Sequence, residues 1–116
     1  MSLSKGALLR ITQNKRTTNC TVQLLEYKPL CYREQETYRL NISDGQFSTS
    51  MSILSTQINH IIPTRKLTQY SLFDITKYTY HKKSLIIEDI CMVKNGNKIG
   101  KIIGDPKHIP KDQMAF

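Results

Sequence analysis

Between Thr37 and Ile42 the chain alternates: Tyr38, Leu40 and Ile42 are bulky and apolar, and Thr37, Arg39 and Asn41 between them are polar. A period of two marks a strand with one buried face. Asp44-Gly45 follows as a favoured two-residue hairpin turn, since both positions tolerate positive φ; Gln46 to Ile53 then returns with Phe47, Met51 and Ile53 as its bulky residues. Upstream, Thr21 to Leu30 also reads as a strand, but its phase switches: Val22 and Leu24 alternate one way, Leu25 and Tyr27 the other. Such a switch predicts a bulge or sharp coil of the kind that bends strands around the corners of small barrels, and Pro29 ends the ladder or sits at an edge.

The remaining segments fall around this frame. Ser4 caps a predicted helix over Lys5–Thr12, in which Ala7, Leu8 and Ile11 share a face, and Gln13–Asn19 reads as a polar, basic loop. Leu54, Ile58 and Ile61 or Ile62 lie at helical offsets before Pro63, which predicts a second short helix. Tyr70–Tyr80 and Ser84–Val93 read as a fourth and fifth strand, joined by a tight connection at Lys82-Lys83 beside His81. The tail is turn-rich from Lys94, and Lys107–Phe116 reads as the start of a linker. Helix, three strands, helix, two strands is the element order of the OB fold, a five-stranded Greek-key barrel. A plain sandwich would need two or three more strands.

Charge narrows the function. The 116 residues carry a formal net charge of +8, with a sequence pI near 9.5, which suits a polyanion: nucleic acid, an acidic protein segment or a charged membrane surface. No apolar run approaches the length of a membrane span, and Met1–Arg10 lacks the pattern of a secretory signal. Cys20, Cys31 and Cys91 are dispersed, as expected of ordinary thiols in a reducing compartment. Without secretion, the glycosylation patterns at Asn19 and Asn41 are read as chance matches.

Catalysis finds no support in the pattern. His60, His81 and His108 are not at metal-ligand spacing with the cysteines, and Glu88 and Asp89 are adjacent on a strand and so point to opposite faces. The stretch from Asn95 to Lys101 has two glycines without P-loop spacing and reads as a turn. No cofactor is expected.

The basic residues form a more coherent set. Lys28 falls on the opposite face from Leu25 and Tyr27, and Arg39 opposite Leu40, so both point outward from a barrel. Arg33 lies between strands one and two, and Lys82 and Lys83 between four and five, the loops that flank the groove of an OB fold. Tight single-strand binding would need exposed aromatics, but Tyr27, Tyr38 and Phe47 fall on apolar faces and are expected in the core, with Tyr78 and Tyr80 ambiguous.

Several motifs resemble the N-terminal domain of the replication protein A large subunit. They are Leu3-Ser4-Lys5-Gly6-Ala7, then Tyr38-Arg39-Leu40 with Ser43-Asp44-Gly45, then Thr56-Gln57-Ile58-Asn59, and finally Ile99-Gly100-Lys101-Ile102-Ile103-Gly104-Asp105-Pro106. They occur in order over residues 3–106, which sets the expected domain, with 107–116 as the start of a linker. The resemblance implies a nuclear protein-recruitment module. Its basic groove would take acidic amphipathic helices of replication, repair, recombination or checkpoint proteins and bind single-stranded DNA weakly. A linker and further OB domains would follow, joining a heterotrimeric complex.

By the same resemblance the groove charges match Lys28, Arg39, Lys82 and Lys83, and the apolar floor matches Met51, Ile53 and Ile86. Relatives usually carry an arginine where Thr37 stands, and their loop before Lys82 is longer, so charge could have moved to Arg33. Telomerase-associated paralogues share the architecture. A single-stranded nucleic-acid-binding OB domain of that telomeric kind is the alternative reading.

Overall fold

The computed structural model describes residues 3–17 and 20–116. Helix α1 spans Ala7–Thr12, and five long strands follow: β1 Thr21–Tyr32, β2 Gln35–Ser43, β3 Phe47–Leu54, β4 Leu72–His81 and β5 Ser84–Lys94. A short β6, Lys107–His108, pairs in parallel with Phe47–Ser48 of β3. β1 pairs with β2 and β4, β2 with β3, β3 in parallel with β5, and β5 with β4. The five-strand ring therefore closes, as an OB barrel requires.

Alternation in the sequence becomes burial inside that ring. Val22, Leu24, Leu40, Ile42, Leu54, Phe73 and Ile87 fill it, with Leu8 and Ile11 of α1 in the same core. Each such side chain contributes about 1.5–3 kcal/mol relative to exposure. The predicted phase switch in β1 is a register shift against β2 between Leu24 and Glu26, which leaves Leu25 as the extra residue. Both outer hairpins close through two residues of positive φ, Arg33 and Glu34 (51° and 64°) and Lys82 and Lys83 (48° and 66°). Left-handed pairs of this kind match the twist of the strands they join.

Four expectations change. Gly6 (φ 86°) occupies the N-cap position of α1, and the helix begins at Ala7 rather than Lys5. Ser4 does not cap it; its hydroxyl accepts the Thr21 N–H at 2.9 Å. The Leu8 N–H is instead satisfied by Asp44 Oδ2 at 2.9 Å. At the Asp44-Gly45 turn only Gly45 is left-handed (φ 91°), because the Asp44 carboxylate holds the turn by accepting the Gln46 and Phe47 N–H groups.

The predicted helix over Leu54–Ile62 reduces to a 3₁₀ turn, Asn59–Ile61. Leu54 pairs with Ile87, Ser55 N–H continues that ladder to the Ile87 carbonyl, and the Ser55 hydroxyl accepts the Gln57 N–H. Sheet pairing and a short polar side chain thus take the backbone groups a helix would use. Finally, 107–116 packs on the barrel. Ile109 and Met114 are buried in the core, Ala115 N–H donates to the Thr12 carbonyl, and the Tyr80 hydroxyl lies 2.6 Å from the Ala115 carbonyl.

No helix among the described residues is long and apolar enough to cross a membrane. Cys20 is buried, whereas Cys31 and Cys91 are exposed. Burial, with Asp44 and Asp74 nearby, pushes the Cys20 thiol up to about 12. Thiolate is the reactive form, so a disulfide reagent at neutral pH is expected to titrate Cys31 and Cys91 in the native protein and Cys20 only after denaturant is added. Equal rates for all three thiols would contradict the buried position of Cys20.

Candidate functional site: a groove between two hairpin tips

The site starts from strand register. Lys28 of β1 is directly opposite Arg39 of β2, Arg39 opposite Ile53 of β3, Ile53 opposite Ile86 of β5, and Ile86 opposite Thr79 of β4. Opposed residues share a face of the sheet. Two cations and two isoleucines thus form one row across the barrel wall. Lys28 and Arg39 line a small cleft of about 200 Å³ with Glu26, Tyr27, Asn41 and Ser50.

The row continues into a second cleft, of about 430 Å³, bounded by the β1–β2 hairpin tip on one side and the β4–β5 hairpin on the other. Arg33, Ile53, Ile86, Thr79, His81 and Glu88 are among its lining residues. The Arg33 guanidinium lies 5.3 Å from the centre of the Tyr32 ring, in reach of its π face. Lys82 and Lys83 form the β4–β5 tip directly after His81; Lys82 is exposed and Lys83 half-buried. Thr79 donates to Glu88 Oε1 at 2.7 Å, so one carboxylate stands among the cations.

The structure therefore brings Lys28, Arg39, Arg33, Ile53 and Ile86 onto two clefts joined through the Arg39–Ile53 pair, with Lys82 and Lys83 at the end of one wall. Met51 is not among the lining residues of either cleft; it is half-buried against the core. Thr37 is 2% exposed and its hydroxyl donates to the Leu54 carbonyl, so that position adds nothing to the groove. His81 and Glu88 were not among the residues the sequence pointed to. His81 had a usable signal in its place beside the lysine pair, whereas Glu88 had none.

The aromatic expectation fails for Tyr27, which is 43% exposed rather than in the core. Past the Leu25 bulge β1 leaves the barrel interior, and Tyr27 makes a T-shaped contact with half-buried Tyr38, with ring centres 5.8 Å apart at 83°. Phe47, Tyr78 and Tyr80 are half-buried against the core. Among the described residues, no group of three or more His, Cys, Asp or Glu side chains could hold a metal ion. The Asn95–Lys101 stretch forms a 3₁₀ turn at Gly96–Lys98, with the Asn95 side chain accepting the Asn97 N–H.

Residues 3–95 match the family model described as replication factor-A protein 1, N-terminal domain. The chain is 28% identical over 114 residues to the replication protein A 70 kDa DNA-binding subunit of Drosophila melanogaster, covering 90% of this chain and 19% of that protein. It is 25% identical over 111 residues to the Mus musculus subunit and 22% over 110 residues to that of Gallus gallus, each match covering 90% of this chain and 18% of the relative. The chain thus spans about a fifth of the length of these relatives. A closed five-strand barrel and a family match over most of its length lead to one assignment: this chain belongs to the replication factor-A protein 1 N-terminal domain family.

Proposed function

We propose that this domain is a recruitment module of a replication-associated single-stranded-DNA-binding complex, and that its groove takes acidic amphipathic helices of partner proteins. The observation that carries the reading is the row Lys28–Arg39–Ile53–Ile86, which sets cations beside aliphatic side chains along one wall. An acidic amphipathic helix presents the complementary pair of features, carboxylates flanking an apolar stripe. Exposed ion pairs contribute only about 0.2–1 kcal/mol each, so charge steers the encounter and apolar anchors supply much of the affinity. Lys82, Lys83 and Arg33 guard the two ends. None of these groups is arranged for catalysis.

By kinship with the 70 kDa subunits, the parent chain would act in the nucleus, in DNA replication, repair and recombination, with further domains joining other subunits of its complex. Its partners would be replication, repair or checkpoint proteins bearing acidic helical segments.

The test is fluorescence anisotropy with a labelled acidic amphipathic peptide. Micromolar-range binding is expected, weakening markedly between low and high salt as screening shortens the reach of the cations. Arg39→Glu combined with Lys83→Glu is expected to abolish it. Unchanged affinity in that double variant would overturn the assignment.

A further inference from the structure

Tyr27 borders the Lys28–Arg39 cleft, but the groove accounts for only one side of it. Along β1 and β2, the pairs Tyr27–Leu40 and Pro29–Tyr38 alternate with Lys28–Arg39, so the two tyrosines belong to the other face of the ribbon. There they line a cleft of about 870 Å³ whose walls include Arg65, Gln69, Tyr70 and Asn97. Glu26 and Tyr27 also border the Lys28–Arg39 cleft, so the two meet at the ribbon edge.

The chemistry of this cleft differs from that of the groove. Its aliphatic lining residues Ile62 and Leu67 are 6% and 1% exposed, so its apolar surface is mainly exposed Pro63 and the tyrosine rings. The rest of its lining is rich in aromatic and amide side chains, with exposed Arg65 among them. Lys66, Lys94, Lys98 and Lys101 are exposed, and each adjoins a lining residue in the chain. Arg65 and Glu26 are the charged residues of the lining itself, and these four lysines stand next to it in the chain. An exposed aromatic ring offers a surface on which a base can stack, amides pair with base edges, and cations track a phosphate backbone.

We propose that this cleft is a second binding site, for single-stranded nucleic acid, with Tyr27 stacking a base and Arg65, Lys94, Lys98 and Lys101 holding the phosphates. The site shares no cation with the groove, and the two meet only at Glu26 and Tyr27.

The experiment titrates a labelled oligothymidylate of about ten nucleotides, at low salt, into the 116-residue protein. Tyr27→Ala is expected to weaken binding at least about fivefold, whereas Tyr27→Phe, which keeps the ring, binds as the parent does. Lys98→Ala with Lys101→Ala should weaken binding and reduce the magnitude of the logarithmic salt slope by about 1.4, the value for two single-strand phosphate contacts. Arg39→Ala with Lys83→Ala should retain oligonucleotide binding while losing affinity for the acidic peptide, which separates this site from the groove. The proposal is overturned if the parent protein does not bind the oligonucleotide. Parental affinity in both the Tyr27→Ala and Lys98→Ala/Lys101→Ala proteins overturns it too, as does a loss confined to the groove variant. Should Tyr27→Ala fail to fold, the exposed lysine pair decides alone.

Discussion

Gly96→Ala is expected to destabilise the domain by about 3 kcal/mol, the upper part of the range for inserting atoms into a packed site. Gly96 is not in a left-handed conformation, so the reason is space alone. A Cβ added there would lie 1.8 Å from the Gln69 carbonyl oxygen and 2.7 Å from the Ser71 nitrogen, both backbone atoms. Neither can swing aside as a side chain would. Ser71 Oγ accepts the Gly96 N–H at 3.0 Å, and the same segment is tied to β1 through Leu24 N–H to the Ser71 carbonyl and Tyr70 N–H to the Leu24 carbonyl. Moving it therefore pulls on the barrel wall. The melting temperature should fall by roughly 12 °C or more, at several degrees per kcal/mol for a domain of this size. Gly100→Ala is the contrast: Gly100 has φ +66° with nothing within 4 Å of an added Cβ, so only left-handed strain of about 1–2 kcal/mol applies. Thermal melts followed by circular dichroism decide it. A Gly96→Ala protein that melts no lower than Gly100→Ala would refute the close approach.

Asp44→Ala is expected to cost about as much, by a different route. The carboxylate is fully buried and accepts three backbone N–H groups, those of Gln46, Phe47 and Leu8. Truncation leaves one buried donor, Leu8 N–H, and two part-buried ones without their acceptor, and the loss of a buried partner alone costs about 1–3 kcal/mol. Partial entry of water keeps the total near 3 kcal/mol or somewhat above. Asp44→Asn keeps one oxygen for the Gln46 and Phe47 donors but turns an NH₂ group toward Leu8, so it should fall between the parent and Asp44→Ala. Urea unfolding measures both. An Asp44→Ala protein within 1 kcal/mol of the parent would mean that this carboxylate does not join the turn to the helix.

These two residues also show what the sequence could and could not reveal. The alternation from Tyr38 to Ile42, the phase switch at Leu25 and the Lys82-Lys83 connection are local signals, and each appears in the barrel at the expected place. Asp44 looked like half of an ordinary turn because its third partner, Leu8, is 36 residues away. The predicted helix after β3 rested on apolar spacing alone, and pairing of Leu54 with Ile87 outweighed it. Tyr27 was misjudged because a period of two says which face a side chain takes, not whether the barrel continues beneath that face. Ile109 and Met114 were too isolated in a turn-rich tail to look like core. Of the groove, the outward direction of Lys28 and Arg39 was legible in the strand pattern; their direct opposition depended on the register of two separate strands.

The overhang of β1 has one more consequence. β1 meets β4 only at Thr21–Gln23, which leaves the outer rim of Glu26–Tyr32 without a neighbouring strand among the described residues. Bare rims of that kind invite copies of a protein to zip together edge to edge. Here Pro29 withholds an amide donor from the middle of the rim, charged Glu26 and Lys28 stand close by, and the Gln69 side chain occupies the Leu25 carbonyl at 3.0 Å. The ribbon can reach out from the barrel without becoming a template for aggregation.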